Sequence, residues 1–251
     1  SKILLSGEKG IGKCTLAYHL INFILSNNEN FPYNLDSLTI NSENTSYKLI
    51  QNNSNTNFHL IDIGYEKKSI DISQIRQLID VLNKSSLNSK PRFILIDNIE
   101  YLNINSVNAL LKILEEPNEN TYFILINNNK KIYSTILSRC LDFKIKLSYK
   151  NISNINRHLF NSSINDLINE DLINYYLTPG KIFNLIEFSE NKNIDLKNTN
   201  LNDFLSLIIK ESYYKGDNSI KNIIYEYLEF FLIKKIPIKY TDLFRYFLKR
   251  I

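Results

Sequence analysis

A chain of 251 residues is long enough for a sizeable core, and 43% hydrophobic with 22% charged residues excludes disorder as the default. The formal net charge of +4 and sequence pI near 8.8 are mildly basic, compatible with a nucleic-acid partner without demanding one. Two cysteines, Cys14 and Cys140, cannot build a four-cysteine zinc cluster or a disulfide framework, and His19, His59 and His158 show no ligand spacing. No apolar run reaches transmembrane length and no signal peptide precedes the first strand, so a reducing cytoplasm and no membrane contact are the expectation. Heavy use of Asn, Ile and Lys reads as A+T-rich codon bias, which scatters lysine over any surface. With no Met and a strand pattern from Lys2, we expect that residue 1 is not the native start and that N-terminal structure is missing.

In chain order, Ile3-Leu4-Leu5 reads as a buried strand running into glycines, followed by helical spacing over 15–25. Residues 27–57 are Asn- and Ser-rich and predict an irregular insertion with one short helix. A strand over 58–63 and a helix over 72–82 follow. Residues 92–97, Arg-Phe-Ile-Leu-Ile-Asp, form a near-continuous apolar run suited to the centre of a parallel sheet. A helix over 105–115 is stopped by Pro117. Next come a strand over 122–126, a short helix over 132–137 and an edge-type strand over 141–147. This alternation predicts a parallel, doubly wound α/β sheet. Beyond Ser148 only helices are expected, over 151–159, 165–176, 181–190, 201–214, 220–232 and 241–249, with linkers at 191–200 and 235–238. The helix at 220–232 is apolar on more than one side, which points to packing against partner subunits. The resulting division is an α/β domain over 1–147, a small helical domain over 148–195 and a C-terminal helical segment over 196–251.

Gly7-Glu8-Lys9-Gly10-Ile11-Gly12-Lys13-Cys14-Thr15 matches the phosphate-binding pattern G-x-x-x-x-G-K-[ST] in all but its last position. Glycines let backbone N–H groups turn in around phosphate oxygens, and the lysine reaches the β- and γ-phosphates. Cys14 replaces the hydroxyl that ligates Mg²⁺, and a soft thiol suits a hard cation poorly. Thr15 stands one residue too late. Asp97 closes a buried strand in a run that resembles the Walker B motif, where an acid holds a magnesium-bound water; in AAA+ ATPases the next residue is usually a water-activating Glu, and here it is Asn98. Glu100 is a weak substitute.

Two further stretches, Asn108-Ala-Leu-Leu-Lys-Ile-Leu-Glu-Glu-Pro117 and Ser138-Arg139-Cys140, make the chain resemble the bacterial clamp-loader subunits of DNA polymerase III, an AAA+ family, from residue 3 to about 147. Within that family the altered Cys14 and Asn98 beside an intact Ser-Arg-Cys resemble the delta-prime group. The resemblance implies a P-loop AAA+ domain, a helical lid over 148–195 and a collar segment over 196–251. It implies a degenerate nucleotide site built from Gly7, Gly10, Gly12, Lys13, Cys14, Thr15 and Asp97, able at most to hold ATP or ADP, with Arg139 as an arginine finger acting on a neighbour's ATP. Taken alone, Arg139 is better read as pairing with a local carboxylate; the flanking Ser138 and Cys140 favour the finger. The implied partners are gamma/tau and delta subunits, a sliding clamp and primed DNA. No cysteines lie between the P-loop and Asp97, so no zinc is expected. Gly180, with Lys181 beside it, falls at the second sensor position of AAA+ proteins. The rival readings are a slow but competent gamma/tau-like ATPase and a helicase loader; the Asn-Ala-Leu-Leu-Lys and Ser-Arg-Cys stretches count against the second.

Overall fold

The apolar run before the phosphate-loop pattern becomes an inner strand of a parallel sheet. The computed structural model describes residues 1–63, 67–84, 88–174, 177–215 and 218–235. Five strands, β1 (Lys2–Ser6), β2 (Phe58–Ile61), β3 (Arg92–Ile96), β4 (Thr121–Asn127) and β5 (Leu141–Lys144), lie in the order β2-β3-β4-β1-β5. Every pairing is parallel, in register Ile61 to Ile96, Ile96 to Leu125 and Ser6 to Asn127. The C-terminal ends of β1 to β4 therefore share one edge, where open α/β sheets bind their ligands.

Side-chain alternation sends the two sets of strand residues into two cores. Leu5, Phe93, Leu95, Ile124 and Ile126 pack against α1 (Lys13–Leu25) and against Ile50 of α2 (Thr45–Gln51). Leu4, Ile94, Ile96, Phe123 and Leu125 pack against α3 (Ile72–Leu82) and α4 (Ile104–Glu115). Residues 93–96 are all buried, as a central strand covered on both faces requires. Helix starts follow local chemistry: Asp71 and Gln74 form a reciprocal capping box on α3, and Asn103 accepts from the Ser106 N–H at the start of α4. The short helix α5 (Ser134–Leu137) precedes β5, the exposed edge strand expected, which is shorter than the predicted 141–147.

The insertion at 27–57 does carry one short helix, α2. Polar pairs hold it: Asn22 and Asn44 exchange two hydrogen bonds at 3.2 and 3.0 Å while both are buried, and Ser46 donates to Glu29 at 2.6 Å. Buried amides matched to each other in this way avoid the penalty of an unpaired polar group.

Residues 9–11 and 147–251 form a second compact unit. It contains α6 (Tyr149–Phe160), α7 (Ile164–Leu167), α8 (Pro179–Lys192), α9 (Leu201–Lys210) and α10 (Asn218–Lys235). The helix predicted over 165–176 is broken: Ile168 is extended and Asn169 caps a separate 3-10 turn over Glu170–Leu172. The helix predicted to reach 214 ends at Lys210, beyond which Ser212 is left-handed. One apolar cluster takes Ile182 and Leu185 together with Phe204, Ile208, Ile223, Ile224 and Tyr227, so the segments expected as lid and collar share a core. Much of the apolar surface of α10 is thus used within its own chain, and the Tyr227 hydroxyl donates to the Leu172 carbonyl at 2.8 Å. Gly180 N–H donates to the Gly10 carbonyl at 2.8 Å in the same unit, and Lys181 pairs with Glu226 at 2.6 Å. The helix expected over 241–249 lies outside the described residues.

Candidate functional site

Strand β1 ends at Ser6 and hands the chain to a loop whose turns need glycine. Gly10 and Gly12 have φ of 85° and 92°, the left-handed region that a side chain resists, and Gly12 is the N-cap of α1. Lys13 opens that helix and is nearly fully buried, at 4% exposure. Its ammonium donates to the carbonyls of Gly7 (2.9 Å) and Glu8 (2.6 Å) and to Asn128 Oδ1 (3.0 Å). An ammonium has three donors, so all are occupied by the chain itself. Burial lowers the Lys13 pKa, opposed by the charges of Asp97, Glu100 and Glu8.

Cys14 follows on the first turn, with its thiol near the Asp97 carboxylate that follows β3. Burial and the Asp97 charge push the Cys14 pKa from 9.0 up to about 12. At neutral pH this is a neutral S–H and no ligand for a hard cation, which needs oxygen donors. Thr15 is exposed. The Cys14 thiolate fraction is therefore expected to be about a thousandfold below that of a free cysteine, and iodoacetamide labelling of Cys14 in the native chain should be slower in proportion. Labelling at the free-cysteine rate would refute the thiol assignment.

Asp97 has a raised pKa through burial and the nearby Asp62 carboxylate, against the Asn98 N–H, Lys13 and Cys14. A carboxyl whose folded pKa is raised binds more protons folded than unfolded, so its charge costs stability as pH climbs through that value. Asp97→Asn keeps an acceptor for the Asn98 N–H. It is expected to melt higher than the parent at pH 7, with the gain shrinking as pH falls toward the ordinary carboxylate range. A melting curve series across pH checks the sign.

Asn98 is left-handed, with φ 56° and ψ 47°, a conformation asparagine tolerates. That twist aims its amide across the strand ends. Its Nδ2 donates to Asp62 Oδ1 at 2.7 Å, while its Oδ1 accepts from Asn128 Nδ2 at 2.8 Å. Asn128 Nδ2 also donates to Glu100 Oε1 at 2.8 Å. Asp62, Asn98, Asn128, Glu100 and Lys13 thus form one hydrogen-bonded chain along the sheet edge. Asp62 and Asn128 escaped the sequence reading. Their signal is positional: each follows the end of an apolar strand, as Asp97 does, and parallel register brings such positions together.

Arg139 lies after α5. Its Nε donates to Glu115 Oε1 at 3.1 Å and its Nη2 donates to the same oxygen; its Nη1 donates to the Thr135 carbonyl (2.9 Å) and Ser138 Oγ (3.3 Å). Cys140 packs partly buried against the sheet core, and Ser138 Oγ returns a bond to the Thr135 carbonyl at 3.1 Å. The triplet thus divides into a partly buried side chain, a turn-closing hydroxyl and a half-buried guanidinium paired with a local carboxylate. Among the described residues no group of three His, Cys, Asp or Glu is placed to hold a metal, and no helix is long and apolar enough to cross a membrane.

A family model described as DNA polymerase III, delta subunit, matches residues 1–148. The delta′ subunit of DNA polymerase III from Buchnera aphidicola subsp. Schizaphis graminum is 28% identical over 229 residues, covering 84% of this chain and 65% of that protein. The gamma subunit from the same organism is 33% identical over 205 residues, covering 78% and 54%. The chain therefore spans between about half and two-thirds of the length of these relatives. A gamma-subunit-related protein of Thermotoga maritima aligns over 96% of this chain and 70% of its own, at 18% identity and a TM-score of 0.45. With the match running across the whole P-loop sheet and covering more than half of its length, the chain belongs to the DNA polymerase III delta-subunit family, the clamp-loader group its motifs resemble.

Proposed function

We propose that this chain is a delta-prime-type clamp-loader subunit that does not hydrolyse ATP efficiently itself and supplies Arg139 to ATP held by a neighbouring subunit. The observation that carries the reading is the state of the P-loop. The Lys13 ammonium has its three donors occupied by its own chain, and Cys14 is a neutral thiol beside the acid that would order magnesium. A nucleotide entering this loop must break those bonds and gains no metal site in return. ATP or ADP is then at most a weakly held ligand, and zinc has no place. The partners are gamma/tau and delta subunits and, through the assembly, a sliding clamp and primed DNA, in the cytoplasm. Residues 148–195 serve as lid and 196–251 as collar segment, and described residues of both contribute to one core.

The test is reconstitution. Mixed with gamma and delta subunits, the chain is expected to co-elute in one complex whose ATPase rises with primed DNA and clamp, while the chain alone turns over no ATP above background. A second reading, a slow gamma-like ATPase, is favoured by Glu100, which reaches Asn128 beside Lys13, and by the 33% identity to a gamma subunit. ATP turnover by the isolated chain that disappears in Lys13→Ala would select it.

A further inference from the structure

We propose that Glu115 is a positioning residue for Arg139, fixing the plane of its guanidinium for an anion brought by a neighbouring molecule. The proposal rests on the reading of Arg139 as a group acting in trans.

A free arginine side chain carries much rotamer entropy, and a half-exposed one must be ordered before it can serve charge developing elsewhere. Here the ordering is built in. Glu115 Oε1 takes Nε–H and one Nη2–H, while the Thr135 carbonyl and Ser138 Oγ take the two Nη1 hydrogens. Four of the five N–H donors are engaged, and the remaining one, on Nη2, is left for an outside acceptor. The side chain is 31% exposed, so that donor is not sealed away.

The location of Glu115 supports a role beyond the helix. It is the last residue of α4, where the carbonyl end of the helix dipole disfavours an acid. Lys2 already serves the neighbouring Leu114 carbonyl at 2.7 Å. A carboxylate at this helix end is locally unfavourable unless a cation meets it, and the cation that meets it is Arg139. Helix α4 and the segment around α5 are both seated on the same core, through Leu110, Leu114, Ile136 and Cys140, so the carboxylate and the arginine are anchored to one core.

The experiment uses the complex reconstituted with gamma and delta subunits and reads kcat and KM for DNA-stimulated ATP hydrolysis. Glu115→Ala is expected to lower kcat about tenfold with KM unchanged, within the about hundredfold that misplacing a catalytic group by an ångström can cost. Glu115→Gln keeps an acceptor oxygen and is expected to recover most of that rate. In an Arg139→Ala background Glu115→Ala should add nothing, because it acts through the arginine. The pair is exposed, so the melting temperature of the isolated chain should barely move in either variant. If Arg139→Ala itself leaves kcat unchanged, the trans-arginine reading fails and takes this proposal with it. If Arg139→Ala lowers kcat while Glu115→Ala leaves it unchanged or raises it, or lowers it further in the Arg139→Ala background, the positioning role alone is overturned.

Discussion

Arg139→Ala is expected to lower the maximal DNA-stimulated ATPase rate of the reconstituted complex at least tenfold, with KM for ATP and the elution volume of the complex unchanged. The expectation follows from where the side chain does and does not bond. Among the described residues its hydrogen bonds go to Glu115, Thr135 and Ser138, and none goes to the chain's own P-loop. If Arg139 acts on a phosphate as proposed, that phosphate belongs to another molecule. There it contributes most in the transition state, where the equatorial oxygens of the transferring phosphoryl group gain charge, and arginine fingers are worth about 10³–10⁵ in rate. Losing an interaction made only in the transition state lowers kcat and leaves KM alone. Arg139→Lys should stay low, because an ammonium lacks the planar fork that bonds Glu115 through Nε and Nη2 together and still directs a further N–H outward. Assembly should survive either change, since the exposed ion pair with Glu115 contributes about 0–1 kcal/mol. An unaltered ATPase in a complex that has assembled normally would remove Arg139 from the chemistry.

What could be read in the sequence was what local burial writes into it. The run Phe93 to Ile96 is buried on both faces and announced a central strand; the spacing of Ile75, Leu78 and Leu82 announced α3 to the residue. The glycine turns and the place of Asp97 after a buried strand were legible because glycines and an acid interrupt the apolar runs there. Long-range polar pairing left no such mark. Nothing in the 27–57 stretch predicts that Asn44 pairs with Asn22, or that Asn98 joins Asp62 to Asn128, because asparagine is common throughout the chain and its partners lie 22 to 36 residues away. The break at Ile168 was missed for a related reason. Helical spacing continues through it, while the capping side chains of Ser163 and Asn169 restart the backbone on either side. The apolar breadth of α10 was real, but its cause is a core shared with α8 and α9 as well as any outside partner.

Asn98 carries the other large expected effect. Asn98→Glu restores the acid expected next to Asp97, yet it should unfold the chain more easily by about 3 kcal/mol and yield no ATPase. Two hydrogen bonds from the amide, to Asp62 and from Asn128, are lost at about 1 kcal/mol each. A left-handed backbone at φ 56° costs a glutamate about 1–2 kcal/mol that an asparagine largely avoids. The new carboxylate also stands beside Asp62, and a like charge at that range raises its pKa. A carboxyl with a raised folded pKa is penalised above that pKa and relieved as pH falls through it, so the stability deficit should narrow in mild acid. Adding Cys14→Thr supplies a hydroxyl beside Asp97 but leaves Lys13 tied to Gly7, Glu8 and Asn128, so the double variant should remain inactive as well. Denaturant unfolding across pH, together with ATP turnover, measures both halves. A double variant as stable as its parent that hydrolyses ATP would mean that Asn98 merely fills a vacant catalytic position. The loss expected here has a different meaning: the amide is a structural member of the strand-end network it forms with Asp62 and Asn128.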